Sequence, residues 1–187
     1  MDDIRTYFNR FIELTDEEWR DFGSCLQFTK VDRGSLLLSA GEQCDFLAFI
    51  EQGLFRFYTL RDGEEKITGF FFSGDFVSNY RSFLTGQPSD HYIEAMQDSV
   101  VHIICHRDLQ ALYDRYKNME RLGRFISEQL YLTVASRLDS FMFDAPSERY
   151  LALQKRNSKL LEEIPQYMIA SYLGVKPETL SRIRARR

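Results

Sequence analysis

With 187 residues, 44% of them hydrophobic and 28% charged, the chain has room for one large domain or for a sensor of roughly 100–150 residues with a smaller partner. No run approaches the roughly 18 uninterrupted apolar residues of a membrane span, and MDDIRTYFNRF lacks a basic stretch followed by an apolar core, so a cytoplasmic protein with no membrane partner is expected. The net charge of −4 is unevenly placed: residues 176–187 carry Lys176, Arg182, Arg184, Arg186 and Arg187 against Glu178, a net of +4, which leaves −8 on the first 175 residues.

Residues 1–30 read as helical, with Thr15 three positions before Glu18 in a capping-box pattern ahead of Trp19 and Phe22. From about residue 31 to 105 the pattern changes to short alternating runs, Ser35–Leu38, Phe46–Ile50, Leu54–Leu60, Lys66–Phe72, Tyr92–Ala95 and Val100–Ile104. Gly34, Gly41, Gly53, Gly63, Gly74 and Gly86 punctuate them, and Asp62-Gly63 is a strong hairpin signal. This many short strands suits an antiparallel roll built of two sheets.

Near His106 the period shifts to between three and four. Arg107–Tyr116 reads as a short helix, after which Met119, Leu122, Ile126, Leu130, Val134, Leu138 and Phe141 form one apolar seam. A helix of roughly 25 residues would be about 37 Å long at 1.5 Å per residue, which exceeds a domain of this size. A second copy of the helix is therefore expected to cover the seam; packing on the roll alone is the other reading. Asp144-Ala145-Pro146 interrupts the pattern, and Ser147–Arg156 begins a new helix followed by a polar connection.

The last stretch, IPQYMIASYLGVKPETLSRIRARR, has the arrangement of a helix-turn-helix. Gln166–Leu173 forms the first helix with Ile169, Ala170 and Leu173 inward, Gly174 makes the turn, and Pro177 starts a second helix that sets Leu180 and Ile183 against the first. Glu178, Thr179, Ser181, Arg182 and Arg184 then face outward. Arginine can pair with guanine through two hydrogen bonds, glutamate can accept from cytosine, and Ser or Thr can bond bases or phosphates, while Lys176, Arg186 and Arg187 suit phosphates. A helix pair with merely solvated charges is the bland reading, against which the local charge reversal stands.

The three cysteines, Cys25, Cys44 and Cys105, have no close spacing, which argues against a disulfide framework, a zinc site or an iron–sulfur cluster and for buried thiols. Three histidines, His91, His102 and His106, offer no metal-binding pair: the last two straddle a strand end, where a four-residue spacing separates side chains by roughly 13 Å. Neither a metal nor a catalytic function is expected.

PETLSRI after a glycine turn resembles the recognition helix of the Crp/Fnr family of transcription regulators, with Glu178, Thr179 and Arg182 in the operator-reading places. The resemblance extends over nearly the whole chain, through the glycine-punctuated strands, the Gly74-Asp75-Phe76 step and the long helix. It implies an α+β protein: residues 1–116 a cyclic-nucleotide-binding-like β-roll (jelly roll) with N-terminal helices, 117–144 a long dimerisation helix and hinge, and 145–187 an all-α DNA-binding domain. It also implies double-stranded DNA, a second copy of the chain and RNA polymerase as partners. Pro177 departs from the family's frequent arginine. The sequence stops at Arg187, before the usual β-hairpin wing, so either the wing is dispensed with or residues are missing.

The family's phosphate site is supplied by Gly-Glu soon after the Gly-Asp-Phe step and by Arg-Ser or Arg-Thr farther on. Laid against GDFVSNYRSFLTGQPSDHYIEA, that pattern places Ser78-Asn79 and Ser89-Asp90 in those positions, with Tyr80 and Arg81 beside them as the remaining effector-pocket candidates. A carboxylate at Asp90 facing a phosphate costs several kcal/mol in a partly desolvated pocket, and the missing arginine would have supplied a charge-assisted pair. Arg81 reads as a solvated surface cation. A roll without cyclic AMP, cyclic GMP or another cofactor is expected, its effector changed or lost; a cyclic-nucleotide-responsive regulator, and a degenerate roll that dimerises without reading DNA, are the alternatives.

Overall fold

The computed structural model describes residues 2–156 and 158–185. Two short helices, α1 (Asp2–Phe8) and α2 (Asp16–Ser24), open the chain. The capping box at α2 is closed in both directions: Thr15 Oγ1 accepts from the Glu18 amide at 3.3 Å, and Glu18 Oε2 accepts from the Thr15 amide at 2.8 Å. Strands begin sooner than the sequence pattern suggests. β1 spans Gln27–Val31, followed by β2 (Leu36–Leu38), β3 (Phe46–Gln52), β4 (Leu54–Arg61), β5 (Glu64–Phe72) and β6 (Phe76–Val77). Helix α3 (Tyr80–Thr85) interrupts the roll before β7 (Tyr92–Ala95) and β8 (Ser99–Cys105).

The strands form two antiparallel sheets, ordered β1-β8-β3-β6 and β2-β7-β4-β5. Asp62 (φ 54°) and Gly63 (φ 77°) both adopt left-handed backbone in the two-residue β4–β5 loop, the geometry that matches strand twist in a tight hairpin. Alternation divides β3 between two cores. Ala48 and Ile50 point into the roll with Phe55, Val77, Ile93, Ala95 and Val101, while Phe49 faces outward to meet α1 and α2 through Ile4, Phe8 and Phe22. Each large side chain so buried contributes about 1.5–3 kcal/mol.

Helices α4 (His106–Arg115) and α5 (Lys117–Phe143) follow, and the apolar seam of α5 has two fates. Met119 and Leu122 are buried in the N-terminal core and Ile126 packs on it, so these residues are covered by their own roll. Leu130, Val134, Leu138 and Phe141 are exposed, Leu138 at 59%. The first turns of α5 pack into the N-terminal core, and these four positions lie beyond it along the helix.

After Asp144-Ala145 come α6 (Pro146–Arg156), α7 (Ser158–Glu163), α8 (Gln166–Leu173) and α9 (Pro177–Ala185). The expected polar connection is thus largely the helix α7. A third core joins this helical unit to the outer face of the second sheet, with Leu54, Tyr58 and Ile67 packed against Met168, Ile169, Leu173 and Leu180. Of the three cysteines only Cys44 is buried, whereas Cys25 and Cys105 are partly exposed.

Candidate nucleic-acid interface and effector cassette

Helix α8 ends where the sequence places a turn. Gly174 takes a left-handed conformation (φ 67°, ψ 35°), and the Val175 amide returns to the Ala170 carbonyl at 2.9 Å, which satisfies a last-turn acceptor. Ala170 is fully buried, so the two helices can approach closely, and Leu180 of α9 closes the contact at 1% exposure. With Leu180 inward, helical periodicity turns Glu178, Ser181 and Arg182 to solvent on one face, and Arg184 and Lys176 are exposed as well. Thr179 is half-buried at the margin of that face. Arg186 and Arg187 lie outside the described residues.

The cassette residues come together, but around one another. Asn79 caps α3, its Oδ1 accepting from the Ser82 amide at 3.2 Å, and its Nδ2 donates to Ser89 Oγ at 2.7 Å; both Asn79 and Ser89 are buried. Ser78 Oγ donates to the Phe46 carbonyl at 2.9 Å, and Tyr80 Oη lies 2.7 Å from Ser127 Oγ on α5. Asp90 gathers the neighbouring donors. Arg81 contacts it at 2.8 Å, Arg61 at 3.6 Å, and His91 Nδ1 at 2.6 Å, the His91 ring lying flat on Phe57 with centroids 4.4 Å apart. Arg81 is exposed, as a solvated surface cation, and pairs there with Asp90. Partial burial works against ionisation of Asp90, yet hydrogen bonds from His91 and Arg81 hold its carboxyl below the usual range.

The interior of the roll is filled by its own side chains, Phe55, Ile50, Ile93 and Val101 among them. A surface cleft of about 560 Å³ opens elsewhere, between Leu84–Gly86 and Cys105–Arg107. No group of His, Cys, Asp or Glu among the described residues is placed to hold a metal, and no helix among them is long and apolar enough to cross a membrane. His102 pairs with Glu51, and His106 meets the edge of the Phe83 ring.

Two packed antiparallel sheets, a long helix and a C-terminal pair of helices joined at a glycine turn make up the arrangement. Residues 28–116 match the family model for the cyclic nucleotide-binding domain. Over 170 residues the chain is 27% identical to the fumarate nitrate reduction regulatory protein of Klebsiella oxytoca, covering 83% of this chain and 66% of that protein. It thus spans just under two thirds of the length of the curated relatives it matches. Among solved structures, FixK2 from Bradyrhizobium japonicum has a TM-score of 0.70 at 18% identity, covering 86% of this chain and 83% of that one. The c-di-GMP responsive global regulator CLP of Xanthomonas campestris has a TM-score of 0.66 at 16% identity, covering 92% and 91%. These likenesses agree with the fold: the chain carries a cyclic nucleotide-binding domain and is similar in sequence to the fumarate nitrate reduction regulators and in fold to FixK2 and CLP.

Proposed function

We propose that the chain is a DNA-binding regulator that reads an inverted-repeat operator as a homodimer and does not respond to cyclic AMP or cyclic GMP. The observation that carries the DNA reading is the solvent-facing row Glu178, Ser181 and Arg182 on α9, held by a buried Leu180 on a helix whose turn is set by Gly174. Those groups have the donor and acceptor character for base edges in a major groove, with Lys176 and Arg184 beside them for phosphates. In this reading residues 1–116 are the sensor, 117–144 the dimerising helix and hinge, and 145–187 the reader. Pairing through Leu130, Val134 and Leu138 would set two recognition helices about one DNA turn, roughly 34 Å, apart.

The cassette supports the second half of the proposal. The arginines near it are committed to Asp90, and the Asn79–Ser89 bond closes the place where a cyclic phosphate would enter. The chain acts here as a regulator and not a catalyst, and RNA polymerase is the machinery that an operator-bound dimer would influence.

The deciding experiment is selection of sites from random DNA by the purified protein, followed by binding titrations of wild type and Arg182→Ala. The variant is expected to lose about 1–3 kcal/mol of specific binding and to accept more than one base at a single position of each half-site. Equal binding of selected and scrambled DNA by the wild type would sink the regulator reading in favour of a dimerising module.

A further inference from the structure

We infer that Arg137 is a positioning residue that latches the helix-turn-helix onto the β-roll, so that the edge of β5, and not a free hinge at Asp144-Ala145-Pro146, sets the spacing of the two recognition helices in a dimer. The consequence for DNA rests on the function proposed above; the latch itself does not.

β5 is the edge strand of its sheet, and an edge exposes unpaired amides and carbonyls. Here α8 covers it. Ser171 Oγ accepts from the Ile67 amide at 3.0 Å and lies 3.3 Å from the Glu65 carbonyl, to which it donates, so one hydroxyl stands in for a missing neighbour strand. One step along, the register shifts: Phe57 pairs with Gly69 but Tyr58 with Ile67, which leaves Thr68 as the extra residue of a β-bulge. Arg137 of α5 donates to the carbonyl of Thr68.

The same guanidinium donates to the Tyr172 carbonyl at 3.3 Å and lies 4.1 Å from the centroid of the Tyr172 ring. That carbonyl belongs to the last turn of α8, where helix geometry leaves acceptors unpaired and a positive charge is favoured. Arg149 takes the next one, its Nε donating to the Leu173 carbonyl at 3.2 Å, while its Nη1 donates to the Asp144 carbonyl at 2.7 Å. Phe141 sits between the two arginines, 5.5 Å from the Arg137 guanidinium and 5.1 Å from that of Arg149. Thus one side chain on the helix proposed to dimerise holds both a bulge in the sensor and the end of the helix that supports the DNA reader. Hydrogen bonds of this kind weaken steeply with displacement, so a small shift of the β4–β5 hairpin releases the reader instead of bending it by degrees.

The test uses the full chain and two variants: Arg137→Met, which keeps apolar length and removes the donors, and Ser171→Ala, which removes the bond to the strand edge by another route. Hydrogen exchange is expected to quicken in both at Ile67 and along α8, with β1, β3 and β8 unchanged. For DNA, inverted repeats made from the half-site selected by the wild type are rebuilt with the spacer altered by two base pairs. Wild type is expected to discriminate against the altered spacer by about tenfold or more, within the range of ordinary coupling energies. Arg137→Met should discriminate less than about threefold while keeping the same base preference within each half-site. A fold weakened in general would lower binding to every spacer alike. Unchanged exchange at Ile67 and α8 in both variants, or full spacer discrimination in Arg137→Met, overturns the latch. If the wild type selects no site at all, the DNA reading falls, and the exchange measurement alone decides the latch.

Discussion

In the proposed reading Asp90 stands where a cyclic-nucleotide pocket needs a cation, and its carboxylate lies among three donors. Arg81, Arg61 and His91 surround it, and its lowered pKa means that it stays ionised down to acid pH. A nucleotide phosphate would have to displace a carboxylate already bound to those arginines and enter beside it. Calorimetric titration with cyclic AMP and cyclic GMP is therefore expected to give no saturable heat, and micromolar binding of either would refute this account of the cassette. Gly174 is the other residue on which much depends. A Cβ there would lie 2.8 Å from the Phe141 ring, on a backbone with φ 67° that side chains rarely adopt. Gly174→Ala should cost about 1–3 kcal/mol, read as a lower midpoint in urea unfolding.

Among the elements, α5 carries the quaternary prediction. Leu138 and Val134 are exposed in the single chain, so replacing both by glutamate removes little internal packing. The double variant Val134→Glu, Leu138→Glu is expected to sediment as a monomer where the wild type sediments as a dimer, with the far-ultraviolet helical signal preserved. The seam was legible in the sequence as a period, but a period does not say what covers it: Leu122 and Ile126 turn out to pack on the chain's own roll. Strands with clean alternation were legible too. β1 was hidden because Phe28 points to solvent, which blurs its alternation, and β6 has only two residues. The outward row on α9 followed from helical spacing alone. The Asn79–Ser89 bond did not, since it depends on how a turn folds back, and neither did the role of Arg137, whose partners are carbonyls and so carry no side-chain signal.

At the scale of the whole molecule, the three cores show how the parts depend on one another. One core fills the roll, a second binds the N-terminal helices and the start of α5 to its outside, and the third is shared between the second sheet and the helical C-terminal unit. Because that third core includes Leu54, Tyr58 and Ile67 of the roll, the C-terminal helical unit is not a separate bead on a linker. A motion of either half therefore disturbs a core that the other half shares, which is the kind of coupling that the proposed function would use.

The covered edge of β5 also bears on how the protein is made. Synthesis delivers the roll well before α8, and in that interval an open strand edge, flanked by Ile67, Phe70 and Phe72, is without the helix that later shields it. A nascent chain paused there offers a template on which a second nascent chain can add a strand. The C-terminal helices thus act, for their own roll, as protection against aggregation once the chain is complete.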